Sequence, residues 1–410
     1  MNKTFWYIYL VIILVTIAGV CLIYQKEQVV DEPIHYLQIR HFIDKDYTMV
    51  GGLTVPPGYH AIIATLMGFL GLISSDSARL ITALFLSITL IPAFYAITRS
   101  WRKTLQFFFF PLMFIYYFLI YTDLMSLLFI LMAIVALNYN KYNWSGIFFI
   151  CSMFIRQNNI IWLLYGLAFI IIEYYINTRP WSWDWKSLLE KKIVLLKQTW
   201  TYIIGIILIL VFIILNKGLV IGDRGSHPLG LYTTNIYYML FIVFLMFLPS
   251  IILRVKDMWD WITKHVILSI GIVIIGILLS LFNLSNNHWY NNQIINGSVM
   301  NTGVVHNIIM MWAVTNPLTR ILFFIPIIIA VFYLIIAKLK YPINYLIYPF
   351  SILTVITSQM VESRYYIIPL ALFLAFREEG TDREEYYLLG YFILLAVIMF
   401  TGILRHSLIW

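Results

Sequence analysis

Two neighbouring carboxylates in the first polar segment of the chain, Asp31 and Glu32, could provide a general base. They open the stretch 31–42, in which apolar side chains recur with a spacing that suits a helix on a membrane surface. Adjacent residues of a helix point in different directions, so at most one of the two acids is expected to reach a substrate. Acids are also favoured at the N-terminus of any helix by its dipole, and this structural interpretation stays open.

Two arginines each stand at the edge of an apolar segment. Arg156 opens a short polar turn, and Arg364 follows Glu362 by two residues. An arginine binds phosphate through a fixed fork of donors, so either side chain could hold a lipid-linked phosphate. Snorkelling towards lipid headgroups is the alternative for both, and an internal ion pair between Glu362 and Arg364 is a further alternative.

A glycine-flanked polar segment, 222–227, carries Asp223, Arg224 and His227. Asp223 and His227 could ligate a metal ion, but no third ligand stands at a suitable spacing. We therefore predict no metal site, and we expect these side chains to contact sugar hydroxyls or a phosphate. The chain has no glycine-rich nucleotide-binding loop of the Walker type, so ATP hydrolysis and a bound cofactor are not expected.

The composition places these residues in a membrane protein. Of 410 residues, 62% are hydrophobic and 11% are charged, whereas soluble proteins carry about 25% charged residues. The Lys and Arg residues behind the net charge of +8 lie in short runs between apolar segments, which excludes nucleic acid as a partner. Cys21 and Cys151 fall inside apolar runs, where a disulfide is not expected.

Successive apolar runs predict thirteen transmembrane helices, since about 20 apolar residues cross a bilayer. The stretch 59–73 is shorter and follows two prolines and a glycine, so it is predicted to be an interfacial helix in the first outer loop. No internal repeat is visible, and residues 1–410 are interpreted as one all-α polytopic membrane domain. The predicted spans are 5–23, 78–98, 105–121, 124–139, 144–156, 159–177, 200–216, 234–253, 265–283, 319–337, 343–358, 364–376 and 386–404.

The positions of the Lys and Arg residues set the predicted orientation. With the N-terminus inside, 17 of the 27 basic residues fall in cytoplasmic segments, which agrees with the positive-inside rule. The outer side then receives the loops 24–77, 217–233 and 284–318. The acids, arginines and histidine described above all fall on this side, which predicts one extracytoplasmic polar site.

Six segments, taken in chain order, resemble the α-1,2-glucosyltransferase family of the GT-C superfamily, which uses dolichyl-phosphate-glucose to add the terminal glucose to lipid-linked oligosaccharide. The resemblance covers most of the chain, with departures at Ile34, Asn158 and Tyr232, where the family usually has Phe, Thr and a second His. The segments are Asp31-Glu32-Pro33-Ile34-His35, Thr54-Val55-Pro56-Pro57-Gly58-Tyr59, Tyr121-Thr122-Asp123, Arg156-Gln157-Asn158-Asn159-Ile160-Ile161-Trp162, Gly222-Asp223-Arg224 with His227, and Glu362-Ser363-Arg364-Tyr365-Tyr366 with Pro369.

The resemblance implies a GT-C-like fold and an inverting, metal-independent transfer on the outer or lumenal face. The expected partners are a polyprenyl-phosphate-sugar donor, a lipid-linked glycan acceptor and membrane lipids. Asp31 would be the catalytic base, and Glu32 would orient the substrate or assist. The resemblance further implies donor or phosphate contacts from Arg364, Arg156, His227, Asp223 and Arg224, and substrate positioning by His35, Gln157, Asn159, Glu362 and Tyr365.

Other interpretations stay open. A transferase of the same superfamily that uses mannose or builds a bacterial glycan would carry the same residues, and only donor assays separate these sugars. A transporter or lipid flippase would place ionisable residues near the membrane midplane and often show inverted repeats, whereas a non-catalytic membrane partner would need neither acid. The expected location is the endoplasmic reticulum membrane in a eukaryote, or the plasma membrane in a bacterium or archaeon.

Overall fold

The computed structural model describes residues 3–178, 192–222, 230–283, 317–358 and 360–405. Within these ranges the chain is helical, and its one β-type pairing is an isolated bridge between Leu339 and Arg377. The α-helices are α1 (Lys3–Ile23), α2 (Glu32–Ile43), α3 (Gly58–Phe69), α4 (Ser75–Thr98), α5 (Trp101–Phe108), α6 (Pro111–Phe114), α7 (Asp123–Asn138), α8 (Tyr142–Ile155), α9 (Ile160–Thr178), α10 (Lys192–Asn216), α11 (Thr234–Met246), α12 (Leu248–Leu253), α13 (Val255–Lys264), α14 (Val266–Asn283), α15 (Pro317–Ile336), α16 (Ile347–Ile356), α17 (Ile367–Phe376) and α18 (Asp382–Leu404). Short 3-10 helices cover Ile115–Tyr117, Gln157–Asn159, Pro342–Leu346 and Ser363–Tyr366.

Four of the described helices are long and apolar enough to cross a membrane: α1, α4, the segment Leu195–Asn216 of α10, and α18. Helices α13 and α14 add a fifth if they count as one span, although the chain bends by 104° between them. Shorter apolar helices occupy most of the other predicted spans. The prediction of an all-helical polytopic membrane protein is confirmed for the described residues, and the number of thirteen spans stays a prediction.

The segment predicted as one span at 105–121 is not a single helix. Helix α5 ends at Phe108, α6 begins at Pro111, and a 3-10 turn follows. Pro111 explains the break, because proline has no backbone N–H and its ring clashes with the preceding helical turn. The chain therefore crosses this region as short helical pieces joined by irregular backbone.

The helices pack into two compact units, each with its own set of contacts. In the first unit α7 packs against α4 and α8, and α8 also packs against α9 and α10. In the second unit α11 packs against α15, and α18 packs against α6 and α12. The prediction of one membrane domain stays a prediction. The first unit comprises Met1–Thr104, Tyr116–Arg224 and Tyr341–Phe350, and the second comprises Leu105–Ile115, Gly225–Lys340 and Ser351–Trp410.

The first outer loop contains the two helices that the sequence predicts there. Helix α2 begins directly after Asp31, and α3 begins directly after Pro57, whose ring fixes the backbone that leads into the helix. The two helices pack against each other, and α3 also packs against α4 and α8. The loop is thus an ordered layer over the end of the first unit at which α4 and α7 begin and α8 ends.

In the second unit, buried ion pairs hold the start of α18. Arg377 donates to Glu385 through two nitrogens, at 2.7 and 2.6 Å, and Gln106 donates to Glu385 at 2.8 Å. Arg254 donates through Nε to Glu384 at 3.0 Å. The charged side chains belong to segments predicted to be cytoplasmic, whereas Gln106 belongs to the predicted span 105–121. Their pairing makes all of them part of the packed structure.

Candidate functional site

The two neighbouring acids lie in different environments. Glu32 is fully buried, and its carboxylate accepts from Arg79 Nε at 3.0 Å and from Arg79 Nη2 at 2.6 Å. The backbone N–H groups of Val29 and Ile120 also donate to it, at 3.0 and 2.9 Å. Four hydrogen bonds and a buried ion pair therefore hold Glu32 between three segments of the chain.

Arg79 completes this anchor and was not predicted as a site residue. It is 1% exposed and donates to the carbonyl oxygens of Lys26 at 2.9 Å and Glu27 at 3.0 Å, just beyond the end of α1. Asp76 lies 3.6 Å away. Arg79 thus ties the start of α4 to α1 and, through Glu32, to α2. Its signal in the sequence was an arginine just inside a predicted span, where an ionisable residue is costly and marks a specific role.

Asp31 is half-buried and occupies the N-cap position of α2. Its carbonyl accepts from the N–H groups of Ile34 and His35 at 3.1 Å, but its side chain makes no capping hydrogen bond to the helix. Its own N–H donates to the hydroxyl of Tyr121 at 3.2 Å. The backbone of Asp31 is therefore fixed from both sides, and its carboxylate is not used to start the helix.

A buried imidazole pair lies one helical turn beyond Asp31. His35 Nδ1 and His60 Nε2 are 2.9 Å apart, and the His35 ring also lies 5.6 Å from the ring of Tyr121. Burial lowers the pKa of His60 well below its usual value, and His35 lowers it further, while the Pro57 carbonyl opposes the shift. Both rings are buried, and His60 is neutral near pH 7. His35 was predicted from the sequence as a site residue, whereas His60 was not.

Arg156 is held by a carboxylate rather than standing alone. It forms an ion pair with Asp123, the first residue of α7, and the two side chains are 13% and 3% exposed. Because Arg156 ends α8 and Asp123 begins α7, the pair joins the two helices at the end of the unit that carries Asp31. The sequence predicted a phosphate contact for Arg156 but not its pairing with Asp123.

The polar residues after Arg156 also bind the protein itself. Gln157 donates to the carbonyl oxygen of Thr54 at 2.9 Å, which joins this turn to the turn before α3. Asn159 donates to Ser126 Oγ at 2.6 Å and to the carbonyl oxygen of Ser152 at 2.8 Å. The amide nitrogens of both side chains are thus used in hydrogen bonds within the protein that fix this turn. Substrate contacts by Gln157 and Asn159 stay predictions.

The polar segment 222–227 is described only at its first residue. Gly222 has φ +68°, in the left-handed region that favours glycine, and a Cβ there would meet the Leu53 carbonyl oxygen at 2.6 Å. The backbone at Gly222 thus lies directly against the first outer loop, at the residue before Thr54. Asp223, Arg224 and His227 lie outside the described residues.

Glu362, Arg364 and Tyr365 belong to the second unit. Glu362 and Arg364 form an ion pair, with exposed fractions of 8% and 17%, so the internal ion pair left open by the sequence is present. The Arg364 guanidinium also lies 6.0 Å from the ring centre of Tyr365. Nearby, Tyr366 donates to Asn235 Oδ1 at 2.6 Å, which fixes the turn.

The residues brought together in the first unit are suited to acid–base chemistry on a bound hydroxyl. They supply one half-buried carboxylate, one buried and fully bonded carboxylate, a buried imidazole pair and a paired arginine. In the described part of the chain, no group of three potential metal ligands occurs.

The comparisons with known proteins agree with the resemblance. The sequence model of the DIE2/ALG10 family matches residues 25–375, which include all six segments on which the resemblance rests. No solved structure matches the chain at a comparable level of significance. Three similar proteins, from Candida albicans, human and Kluyveromyces lactis, carry the name Dol-P-Glc:Glc(2)Man(9)GlcNAc(2)-PP-Dol alpha-1,2-glucosyltransferase.

These relatives are distant, and each match covers only part of them. The Candida albicans protein is 26% identical over 318 residues, which are 73% of this chain and 66% of that protein. The human protein is 25% identical over 42% of each chain, and the Kluyveromyces lactis protein is 27% identical over 58% of this chain and 47% of its own. The matched part thus spans less than two thirds of the length of these relatives.

Proposed function

Because the chain belongs to the DIE2/ALG10 family, we propose that it transfers glucose from dolichyl-phosphate-glucose to a lipid-linked oligosaccharide, with inversion, and forms an α-1,2 linkage. The names of its relatives contain this donor, this class of acceptor and this linkage. The same proposal includes a GT-C-like arrangement of about thirteen spans and an active site on the lumenal face of the endoplasmic reticulum membrane. The partners are then the donor, the acceptor and membrane lipids.

The mechanistic part of the proposal rests on the different environments of Asp31 and Glu32. Glu32 accepts four hydrogen bonds and pairs with Arg79 inside the protein, so its lone pairs are committed. Asp31 is half-buried, and its side chain does not cap α2. We assign Asp31 as the general base and Glu32 as a positioning residue that holds the start of α2.

The proposed reaction is a single displacement. The Asp31 carboxylate takes the proton of the acceptor hydroxyl as that oxygen attacks the anomeric carbon of glucose. The bond from this carbon to the phosphate oxygen breaks at the same time, and dolichyl phosphate leaves with the electron pair. The attack comes from the side opposite the phosphate, which inverts the configuration at the anomeric carbon.

The leaving phosphate gains negative charge, and fixed positive groups would stabilise it. Arg364 and Arg156 are our candidates for this task, since each remains partly exposed while a carboxylate fixes its position. An arginine that is already held by Glu362 or Asp123 loses little side-chain entropy when it binds phosphate, which is an advantage of preorganisation. Asp223, Arg224 and His227 are retained as candidate donor contacts.

The activity is tested with the purified full chain in detergent, with dolichyl-phosphate-glucose and a diglucosylated lipid-linked oligosaccharide as substrates. Mass spectrometry follows the addition of one hexose, and linkage analysis identifies its position. Dolichyl-phosphate-mannose is the matched control donor, because it differs only in the sugar. Transfer of glucose and not of mannose would support the proposal. Transfer of mannose alone would contradict the assigned sugar, and no transfer from either donor would contradict the assigned reaction.

A further inference from the structure

An apolar groove of about 870 Å³ lies on the first unit, away from the acids. This volume falls within the range of about 300–1,000 Å³ that is typical of ligand sites. The groove is lined by residues 85–96 of α4, 128–136 of α7 and 144–148 of α8. Phe85, Pro92, Ala93, Met132 and Phe148 are among its lining residues, so hydrocarbon is its natural content.

The groove has the length of one membrane leaflet. On α4 it extends from Phe85 to Ala96, which at 1.5 Å per residue is about 16 Å. Half of the hydrocarbon core of a bilayer is about 15 Å thick. The groove therefore fits an acyl chain that enters from one surface and ends near the bilayer midplane.

One end of the groove is basic and aromatic. Lys141, Tyr139 and Trp144 line it there, and all three side chains are exposed. Arg99, the residue that ends α4, hydrogen-bonds to the Tyr139 hydroxyl. No acidic side chain in the described ranges forms an ion pair with Arg99 or Lys141, so two positive charges lie at one end of the apolar groove. This arrangement is complementary to a lipid with a negative headgroup.

The basic end lies far from the proposed catalytic site. Arg79, which anchors Glu32, and Arg99 lie near opposite ends of α4, and the 20 residue steps from one to the other span about 30 Å. A dolichyl phosphate bound for reaction at Asp31 cannot place its phosphate at Lys141 as well. The basic end of the groove therefore does not hold the phosphate of a donor that reacts at Asp31.

We propose that this groove binds an anionic glycerophospholipid of the cytoplasmic leaflet. Its acyl chain lies along α4, α7 and α8, and its headgroup phosphate meets Lys141 and Arg99. The predicted topology puts both residues on the cytoplasmic side, and Tyr139 and Trp144 are of the amphipathic type that sits at the membrane interface. A bound lipid of this kind fills the groove that α4, α7 and α8 line together.

The proposal is tested by native mass spectrometry on the delipidated full chain, titrated with phosphatidylinositol or phosphatidylcholine of identical acyl chains. We expect tighter binding of phosphatidylinositol, and roughly fivefold weaker binding of it for each of Lys141→Gln and Arg99→Gln, as for the loss of one basic residue near an anionic surface. Ala93→Trp fills the groove and is expected to weaken both lipids. The matched controls are Lys256→Gln and Val397→Trp, which change an exposed lysine and an exposed apolar residue of the second unit.

Each outcome either supports or overturns an anionic lipid site in the groove. Weaker binding of phosphatidylinositol by the groove variants, together with normal binding by the controls, supports the site. All variants must also show unchanged thermal unfolding. Equal affinity for the two lipids, or equal binding by Lys141→Gln and Lys256→Gln, overturns it. Displacement of the bound lipid by dolichyl phosphate, with no effect of Lys141→Gln, would assign the groove to the donor tail instead. Since only lipid binding is measured, these outcomes are independent of the proposed glucose transfer.

Discussion

The Glu32 carboxylate accepts hydrogen bonds from Arg79 at 2.6 and 3.0 Å, and both side chains are buried. This pair separates the roles of two adjacent acids, because it commits the buried Glu32 carboxylate to Arg79, whereas Asp31 is only half-buried. Removal of one member of a buried ion pair leaves the other member charged and without its partner, which typically costs about 3–5 kcal/mol. Stability and catalysis are therefore expected to depend on different members of the acid pair.

We predict that Glu32→Gln lowers the free energy of unfolding by about 3–5 kcal/mol, since Arg79 then lacks its counter-charge. The matched control is Asp44→Asn, which breaks the exposed pair of Arg40 and Asp44. An exposed pair contributes about 0–1 kcal/mol, so this variant is expected to unfold like the wild type. Thermal unfolding in detergent measures both. Equal stability of the two variants would refute the anchoring role of Glu32.

The buried imidazole pair predicts a pH dependence of stability. Since the pKa of His60 in the folded protein lies well below the value of 6.5 of a free imidazole, the unfolded chain takes up a proton below pH 6.5 that the folded chain does not. The part of the stability that depends on neutral His60 is therefore fully present above pH 6.5. It is lost as the pH falls, and the free energy of unfolding then decreases by up to about 1.4 kcal/mol per pH unit. Unfolding measured from pH 7.5 to 5 checks this.

His60→Gln is the variant that isolates this effect. It removes the titrating ring and keeps a polar side chain beside His35, so the part of the pH dependence that comes from His60 is expected to disappear. His41, a half-buried histidine on the same loop near Asp46, supplies the control His41→Gln. A pH profile of His60→Gln that is as steep as that of the wild type would show that other groups cause the loss.

The close approach of Gly222 to Leu53 predicts that a larger side chain at position 222 lowers glucose transfer. Gly222→Ala brings a Cβ against the Leu53 carbonyl oxygen, so the backbone is expected to shift away from the first outer loop, with a substantial loss of glucose transfer. Gly71 has the same φ of +68°, but a Cβ there would meet no atom within 4 Å, so Gly71→Ala carries the backbone strain alone. That strain costs about 1–2 kcal/mol.

The comparison of these two variants separates strain from contact. If transfer falls only in Gly222→Ala, the contact with Leu53 matters for the site. If both variants lose transfer to the same extent, backbone strain explains the loss, and the approach of Gly222 to the first outer loop has no functional role.

Local pattern was sufficient to predict several elements. The amphipathic spacing after Asp31 and the proline pair before Gly58 mark the starts of α2 and α3, and both helices begin there. The resemblance found from six short segments is confirmed, because the DIE2/ALG10 family match covers them all. These features depend on residues within a few positions of one another, which a sequence displays directly.

The partners of the site residues could not be predicted in the same way. Glu32 and Arg79 are 47 residues apart, and Arg156 and Asp123 are 33 apart. Their pairing depends on which helix ends meet in three dimensions, and neither composition nor spacing contains that information. The break before Pro111 was readable from the proline itself, but the apolar composition of 105–121 favoured a continuous span.

The assignment of Asp31 as the base is tested most directly by the turnover of Asp31→Asn with dolichyl-phosphate-glucose and lipid-linked oligosaccharide, beside the control Asp44→Asn at the other end of α2. General base catalysis contributes about 10²–10⁴-fold, so we expect at least about a 100-fold fall in kcat for Asp31→Asn, with unchanged thermal unfolding and normal turnover in the control. Turnover by Asp31→Asn equal to that of the wild type would contradict this assignment and return Glu32 to consideration as the base.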